Sequence, residues 1–196
     1  MAGSPLGSAL EEMSEEVDVR LRPLLERVNG FYAFESALHV LPSGSTPERA
    51  VSLTSWNERN FWRNSFSGLA DGLLFFAEDI FGGQFAFRGE KIVAFDPETG
   101  DVQPLANDLE DWAEQVMVRY RVLTGYPLAH QWQEQNGPLP AGHRLLPKTP
   151  FVLGGKFVVC NLYPLEAVKG MRLRGELAVQ IRDLPDGAQV QFNIVD

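Results

Sequence analysis

The sequence predicts an α+β fold: one domain in which an antiparallel meander sheet is packed with helices. Three observations carry this expectation. Leu73 to Leu105 divides into four short apolar runs separated by turn residues, the pattern of consecutive antiparallel strands. Apolar residues then recur at helical spacing from Leu109 to Leu123. No internal repeat, low-complexity tract or flexible linker divides the 196 residues. Residues 1–16 are small, polar and acidic (Glu11, Glu12, Glu15, Glu16) and are expected to form a flexible tail or a loosely held helix. Residues 17–196 then form the domain.

In chain order, Pro23 opens a short helix at its first position, and Asn29-Gly30 closes it. Residues 31–41 contain a strand that ends at Pro42, and residues 42–55 read as loop with one helical turn. Trp56 to Trp62 suits a short helix that seats both indoles near the meander. In the meander, Leu73–Ala77 is a continuous apolar run, short enough for a strand buried on both faces. Phe81-Gly82-Gly83 turns into Gln84–Arg88, where Phe85 and Phe87 share a face. Arg88-Gly89-Glu90 turns into Lys91–Phe95. Asp96-Pro97-Glu98-Thr99-Gly100 is the clearest turn: Pro97 presets φ, Asp96 accepts from the turn amides, and Gly100 takes the left-handed conformation. Asp101–Leu105 returns as a strand, and Pro104 places it at an edge.

Beyond the meander, Asn107 or Asp108 caps a helix, and Glu110 and Asp111 complement its dipole. A second helix is expected near Pro127 to Gln135. Pro138, Pro140, Gly142, Pro147 and Pro150 make the next stretch a loop of fixed path, and Phe157–Cys160 reads as a strand. A helix is expected over 165–182, although Gly170 and Gly175 weaken it. Pro185-Asp186-Gly187 leads to a last strand in which Val190, Phe192 and Ile194 alternate.

Composition narrows the function. Apolar residues make up 44%, enough for a substantial core, and ten of the 21 aromatic residues lie between Trp56 and Phe95. That concentration marks a core centre. No apolar run approaches the roughly 20 residues of a membrane span, and no secretory signal is expected. Cys160 is the single cysteine, which excludes an internal disulfide and suits a reducing cytoplasm. Net charge is −9, so nonspecific binding to nucleic acid is not expected. Residues 78–111 hold nine acidic and two basic side chains, and such a stripe steers a basic partner. The alternative is that these carboxylates only solvate loops and cap a helix.

A search for chemistry finds little. Gly154-Gly155-Lys156 lacks the following Ser or Thr and the helix of a phosphate loop, and reads as a turn. Cys160, beside Val158 and Val159, reads as a buried, inert thiol. His39, His130 and His143 lack metal-ligand spacing: His39 reads as a hydrogen-bonded core-edge residue, the others as surface. Glu78-Asp79 follows a buried strand, where paired carboxylates sometimes do acid–base work. Adjacent strand residues point to opposite faces, however, so the pair does not converge by itself. Trp56, Trp62, Trp112 and Trp132 have the chemistry to stack on bases or sugars, but three of them lie on helical faces that need burying, so core is the better reading. No catalytic residue, metal ligand or cofactor site is expected.

Certain strings resemble a family. They are Asn29-Gly30-Phe31-Tyr32-Ala33-Phe34-Glu35-Ser36-Ala37-Leu38-His39-Val40, then Phe75-Phe76-Ala77-Glu78-Asp79-Ile80-Phe81-Gly82-Gly83-Gln84-Phe85 and Phe95-Asp96-Pro97-Glu98-Thr99-Gly100. Pro150-Phe151-Val152-Leu153-Gly154-Gly155 and Asp183-Leu184-Pro185-Asp186-Gly187 complete the order. Together they are similar to bacterial members of the SUKH superfamily, named in part for a yeast cell-wall-synthesis regulator, across residues 17–196. The acidic tail and the long 125–150 segment depart from the pattern. The resemblance implies a sheet wrapped by helices and a role as a cytoplasmic immunity protein that blocks a toxin of contact-dependent competition, often a nuclease. It carries over no catalytic set.

Three functions follow for comparison. A non-enzymatic immunity module would meet a cognate toxin, possibly a basic nuclease domain, through Glu78, Asp79, Asp96, Glu98, Asp101, Glu110 and Asp111, as a monomer or weak dimer with no membrane contact. A small-ligand binder or enzyme would use a cleft beside the meander, with Glu78 or Asp79 as its polar group. A regulatory scaffold would meet endogenous partners instead.

Overall fold

The computed structural model describes residues 19–44 and 51–185. The acidic tail over 1–16 and the expected strand around Val190 to Ile194 lie outside the described residues. Among the described residues, the architecture is a six-stranded antiparallel sheet whose strands lie in chain order, with five helices and a separate two-stranded ribbon.

Helix α1 (Arg22–Leu25) is the short helix expected at Pro23, but Pro23 is its second residue and the helix ends at Leu25, short of the expected close at Asn29-Gly30. The stretch that reads as one strand is a hairpin of β1 (Phe31–Ala33) and β2 (Leu38–Val40). Between them Phe34, Glu35 and Ser36 all take positive φ (52°, 52° and 67°), a costly run for residues with a Cβ. Outside contacts hold it: Gln133 Nε2 donates to the Glu35 carbonyl at 2.8 Å, and Arg144 donates to the Ser36 carbonyl at 3.2 Å.

The helix expected over Trp56–Trp62 is instead α2 (Leu53–Asn57): it starts earlier, because Ser52 caps it by accepting from the Ser55 amide, and it stops at Asn57, because Glu58 is extended. A 3₁₀ turn follows over Arg63–Phe66. Trp56 and Trp62 are both buried, 5.6 Å apart between ring centroids. The meander strands are β3 (Leu74–Asp79), β4 (Gln84–Arg88), β5 (Lys91–Phe95) and β6 (Val102–Ala106). They lie within two residues of the sequence expectation, and β6, with Pro104, is an edge. One face carries Phe76 and Phe85 against Trp112 of α3 (Leu109–Leu123). The other carries Phe75 and Phe95 against Trp62 and Phe66.

Asp108 caps α3, accepting from the Asp111 amide at 2.9 Å. Helix α4 (Tyr126–Asn136) follows directly and buries Ala129 and Trp132. The proline-rich stretch after it is not loop throughout. It holds β7 (His143–Pro147), which pairs with β8 (Leu162–Glu166), and Pro147 and Pro164 are accepted because both strands of a two-stranded ribbon are edges. The expected strand over Phe157–Cys160 is not one: Val159–Asn161 forms a 3₁₀ turn, and Asn161 Nδ2 ties it to the Thr149 and Lys156 carbonyls. Cys160 is exposed rather than buried.

Helix α5 (Ala167–Ile181) closes the fold, capped by Glu166, which accepts from the Val168 and Lys169 amides. Gly175 has a packing reason. A Cβ there would stand 2.8 Å from the Phe66 ring and 2.9 Å from the Ser65 backbone, so the glycine lets α5 seat on the 3₁₀ turn.

Candidate functional site

The strand register places a row of side chains across all six strands: Tyr32, His39, Glu78, Gln84, Phe95 and Val102 are successive cross-strand partners. Its middle is polar and buried. His39 Nδ1 lies 3.0 Å from Glu78 Oε1, and Arg144 Nε of β7 lies 2.9 Å from the same oxygen. The Arg144 contact is ionic and not a well-directed hydrogen bond, since Nε and Nη2 both lack a partner of good geometry. Tyr32 stacks on His39 with centroids 4.2 Å apart. Gln84 donates to the Gly82 carbonyl at 2.9 Å and accepts from Trp56 Nε1 at 2.9 Å. Burial alone would raise the Glu78 carboxyl; Arg144, His39 and Gln84 outweigh it and hold Glu78 at about 2.

Glu78 is therefore not part of an exposed acidic stripe: it is 1% exposed and bolts the ribbon to the main sheet. Asp79, the next residue, turns elsewhere, and the two carboxylates share no contact. Its Oδ1 accepts from the Phe81 and Gly83 amides, both at 2.8 Å, which folds the β3–β4 turn. The Gly82-Gly83 pair in that turn is explained by what surrounds it. A Cβ on Gly82 would strike the Arg174 guanidinium, and one on Gly83 would strike the Asp79 carboxyl.

Arg174, reaching from α5, is buried. It donates to the Phe81 carbonyl through Nη1 and to the Gly170 carbonyl through Nε. Burial lowers its pKa, against the nearby Glu98, Asp79, Glu78 and Asp96. Asp79 is half-buried and lines a cleft. Burial of its carboxyl raises it to about 7, against the two turn amides and Arg174.

These groups lie along a cleft of about 430 Å³ between the strand ends, the end of α3 and the loop before β8. Asp79, Asp96, Glu98, Asp101 and Arg174 line it beside Phe81, Phe95, Val122, Phe151 and Phe157. Glu98 is buried and accepts from the Val152 amide at 2.8 Å; burial raises its pKa, and that amide opposes the shift. Asp96 accepts from the Glu98 amide at 2.8 Å and is exposed, as is Asp101. Phe151 and Phe157 stack with centroids 3.8 Å apart, and Phe157 is 64% exposed.

Four of the seven acidic residues singled out from sequence thus meet at one cleft. Glu110 and Asp111 do not: they stand in the first turn of α3, whose far end carries Val122, about 18 Å along the helix at 1.5 Å per residue. Asp111 is committed to the Asn107 amide at 2.9 Å. Sequence reasoning missed Arg174 and Arg144, and also the aromatic wall from Phe151 and Phe157. The one signal for Arg174 was an arginine on the apolar stripe of α5, between Met171 and Leu177. Among the described residues, no group of three or more His, Cys, Asp or Glu is placed to hold a metal ion, and no helix is long and apolar enough to cross a membrane.

No protein-family model matches the sequence, and no curated protein matches it. Among solved structures, the chain is similar to Atu4351 from Agrobacterium tumefaciens, with a TM-score of 0.51 and 14% identity, over 82% of this chain and 76% of that one. At that identity the likeness concerns the fold alone.

Proposed function

We propose that this chain is a cytoplasmic, non-enzymatic binding module that neutralises a toxin, as the SUKH resemblance implies, and that it meets its partner at the mouth of the acidic cleft. One observation carries the reading. The exposed carboxylates of Asp96 and Asp101 share that mouth with Val122, Val152 and Phe157, which are 76%, 41% and 64% exposed. An apolar centre with charged neighbours is the composition of a protein-docking surface, and its sign suits a basic partner such as a nuclease groove. Val118, 82% exposed and one turn before Val122, extends the apolar part.

The test is co-purification of the tagged chain from its native cells, with the product of the neighbouring gene as the defined candidate. The reading predicts a stoichiometric complex with the C-terminal region of a larger protein that is toxic when expressed alone. A chain that neither binds nor protects against that product contradicts it.

A further inference from the structure

The cleft has a more specific chemistry than a generally acidic surface. Asp101 stands at its mouth, exposed, and its carboxylate makes no hydrogen bond or ion pair among the described residues. Asp96 is exposed beside it, and Glu98 is buried at the wall. Asp79 uses one carboxyl oxygen for two amides, and its second oxygen meets no donor among the described residues. Arg174, the one cation of the lining, is spent on the Phe81 and Gly170 carbonyls. The rest of the lining is mainly aromatic and aliphatic, with Phe81, Phe151 and Phe157 in mutual contact, beside the polar Gln84, Thr99 and Gln103.

Carboxylates beside aromatic rings, in a concave apolar site, match one side-chain chemistry best. A guanidinium is planar, stacks on rings, is weakly hydrated, and forks onto carboxylates. An anion would face four carboxylates for one engaged arginine, and a neutral apolar group would leave the carboxylate oxygens unmatched.

We infer that the cleft is a receptor for a single arginine side chain of the partner polypeptide, which enters past Asp101 and Asp96 and lies against the Phe151–Phe157 pair. This rests on the protein-binding reading above and names the group that the partner must present. The aromatic wall orients the planar end and excludes water. Asp101 supplies the free carboxylate, and Asp96 and Glu98 hold the surrounding negative field. Arg174 keeps the β3–β4 turn in place and so shapes the cleft floor.

The test needs no toxin. N-acetyl-arginine amide is titrated into the isotope-labelled full chain, with amide shifts followed by NMR, beside N-acetyl-lysine amide and the neutral isostere N-acetyl-citrulline amide. The expected result is saturable shifts confined to Gly82, Gly83, Thr99, Asp101 and Phe157, at least tenfold weaker for citrulline and several-fold weaker for lysine. Asp101→Asn should weaken arginine binding several-fold, with the rest of the spectrum unchanged. Equal binding of arginine and citrulline, shifts elsewhere on the chain, or full affinity in Asp101→Asn would overturn the proposal. A chain that neutralises its toxin yet fails these titrations would refute the arginine receptor alone. Arginine-specific binding by a chain with no toxin partner would refute only the immunity reading.

Discussion

Arg144 Nε lies 2.9 Å from Glu78 Oε1, and neither residue is more than 1% exposed. This contact joins strands of two different sheets, and His39 completes it from a third strand. A buried pair of this kind is costly to break from one side, because the remaining charge is stranded. Glu78→Gln is therefore expected to destabilise by about 3–5 kcal/mol. The double variant with Arg144→Met is expected to lose less than the sum of the two single changes, by about 0.5–3 kcal/mol. Urea denaturation of the four proteins measures this, and strict additivity would contradict it.

The two neighbouring carboxyls should respond to pH in opposite directions. Glu78 is held at about 2, below its ordinary 4.5, so its stabilisation is present above 4.5 and is lost as pH falls toward 2. Asp79 is raised from 3.8 to about 7, so the native state binds the extra proton. Its contribution is complete below 3.8 and is lost as pH rises through 7. Stability should thus decline between about pH 4.5 and 7. In Asp79→Asn, where the turn acceptor survives and the titration does not, the decline should flatten. Equal slopes in the two proteins would sink the assignment.

Gly175→Ala should cost about 1–3 kcal/mol, since the added methyl meets the Phe66 ring and the Ser65 backbone, and backbone cannot step aside as a flexible side chain would. Thermal denaturation reads this directly, and an unchanged Tm would show that α5 shifts freely on the 3₁₀ turn.

Cys160 should react with a thiol reagent in the native protein, in one equivalent and without denaturant, because it is exposed. Protection until unfolding would place the residue in the core.

How much of this was legible in the sequence depended on how local the determinant was. The meander was readable because each turn carries its own instruction: Asp96 accepting from the Glu98 amide is a contact two residues long. The helices were readable from periodicity and from caps such as Asp108. The β7–β8 ribbon was not, since Pro147 and Pro164 argue against strands unless the sheet is known to be all edges. Val158-Val159-Cys160 misled in the other direction: its apolarity suits a strand, but Asn161 bonds to residues five and twelve positions back and winds it into a turn. The candidate site was half visible. Asp79, Asp96, Glu98 and Asp101 stand close in sequence, whereas Arg174 reaches them from 93 residues beyond Phe81. Glu78 looked like their companion and faces a different set of partners, because one residue along a strand reverses the face.

The central claim is that the partner is met at the cleft mouth and not along the whole acidic stretch. The most direct measurement is protection of cells expressing the candidate toxin by three chains: unaltered, Asp101→Lys and Glu110→Lys. Both substitutions reverse one exposed charge and leave net charge equal, so only position differs. The account predicts that the unaltered chain and Glu110→Lys protect, while Asp101→Lys binds at least tenfold more weakly and fails to protect. Full protection by Asp101→Lys, or equal losses in both variants, would contradict it.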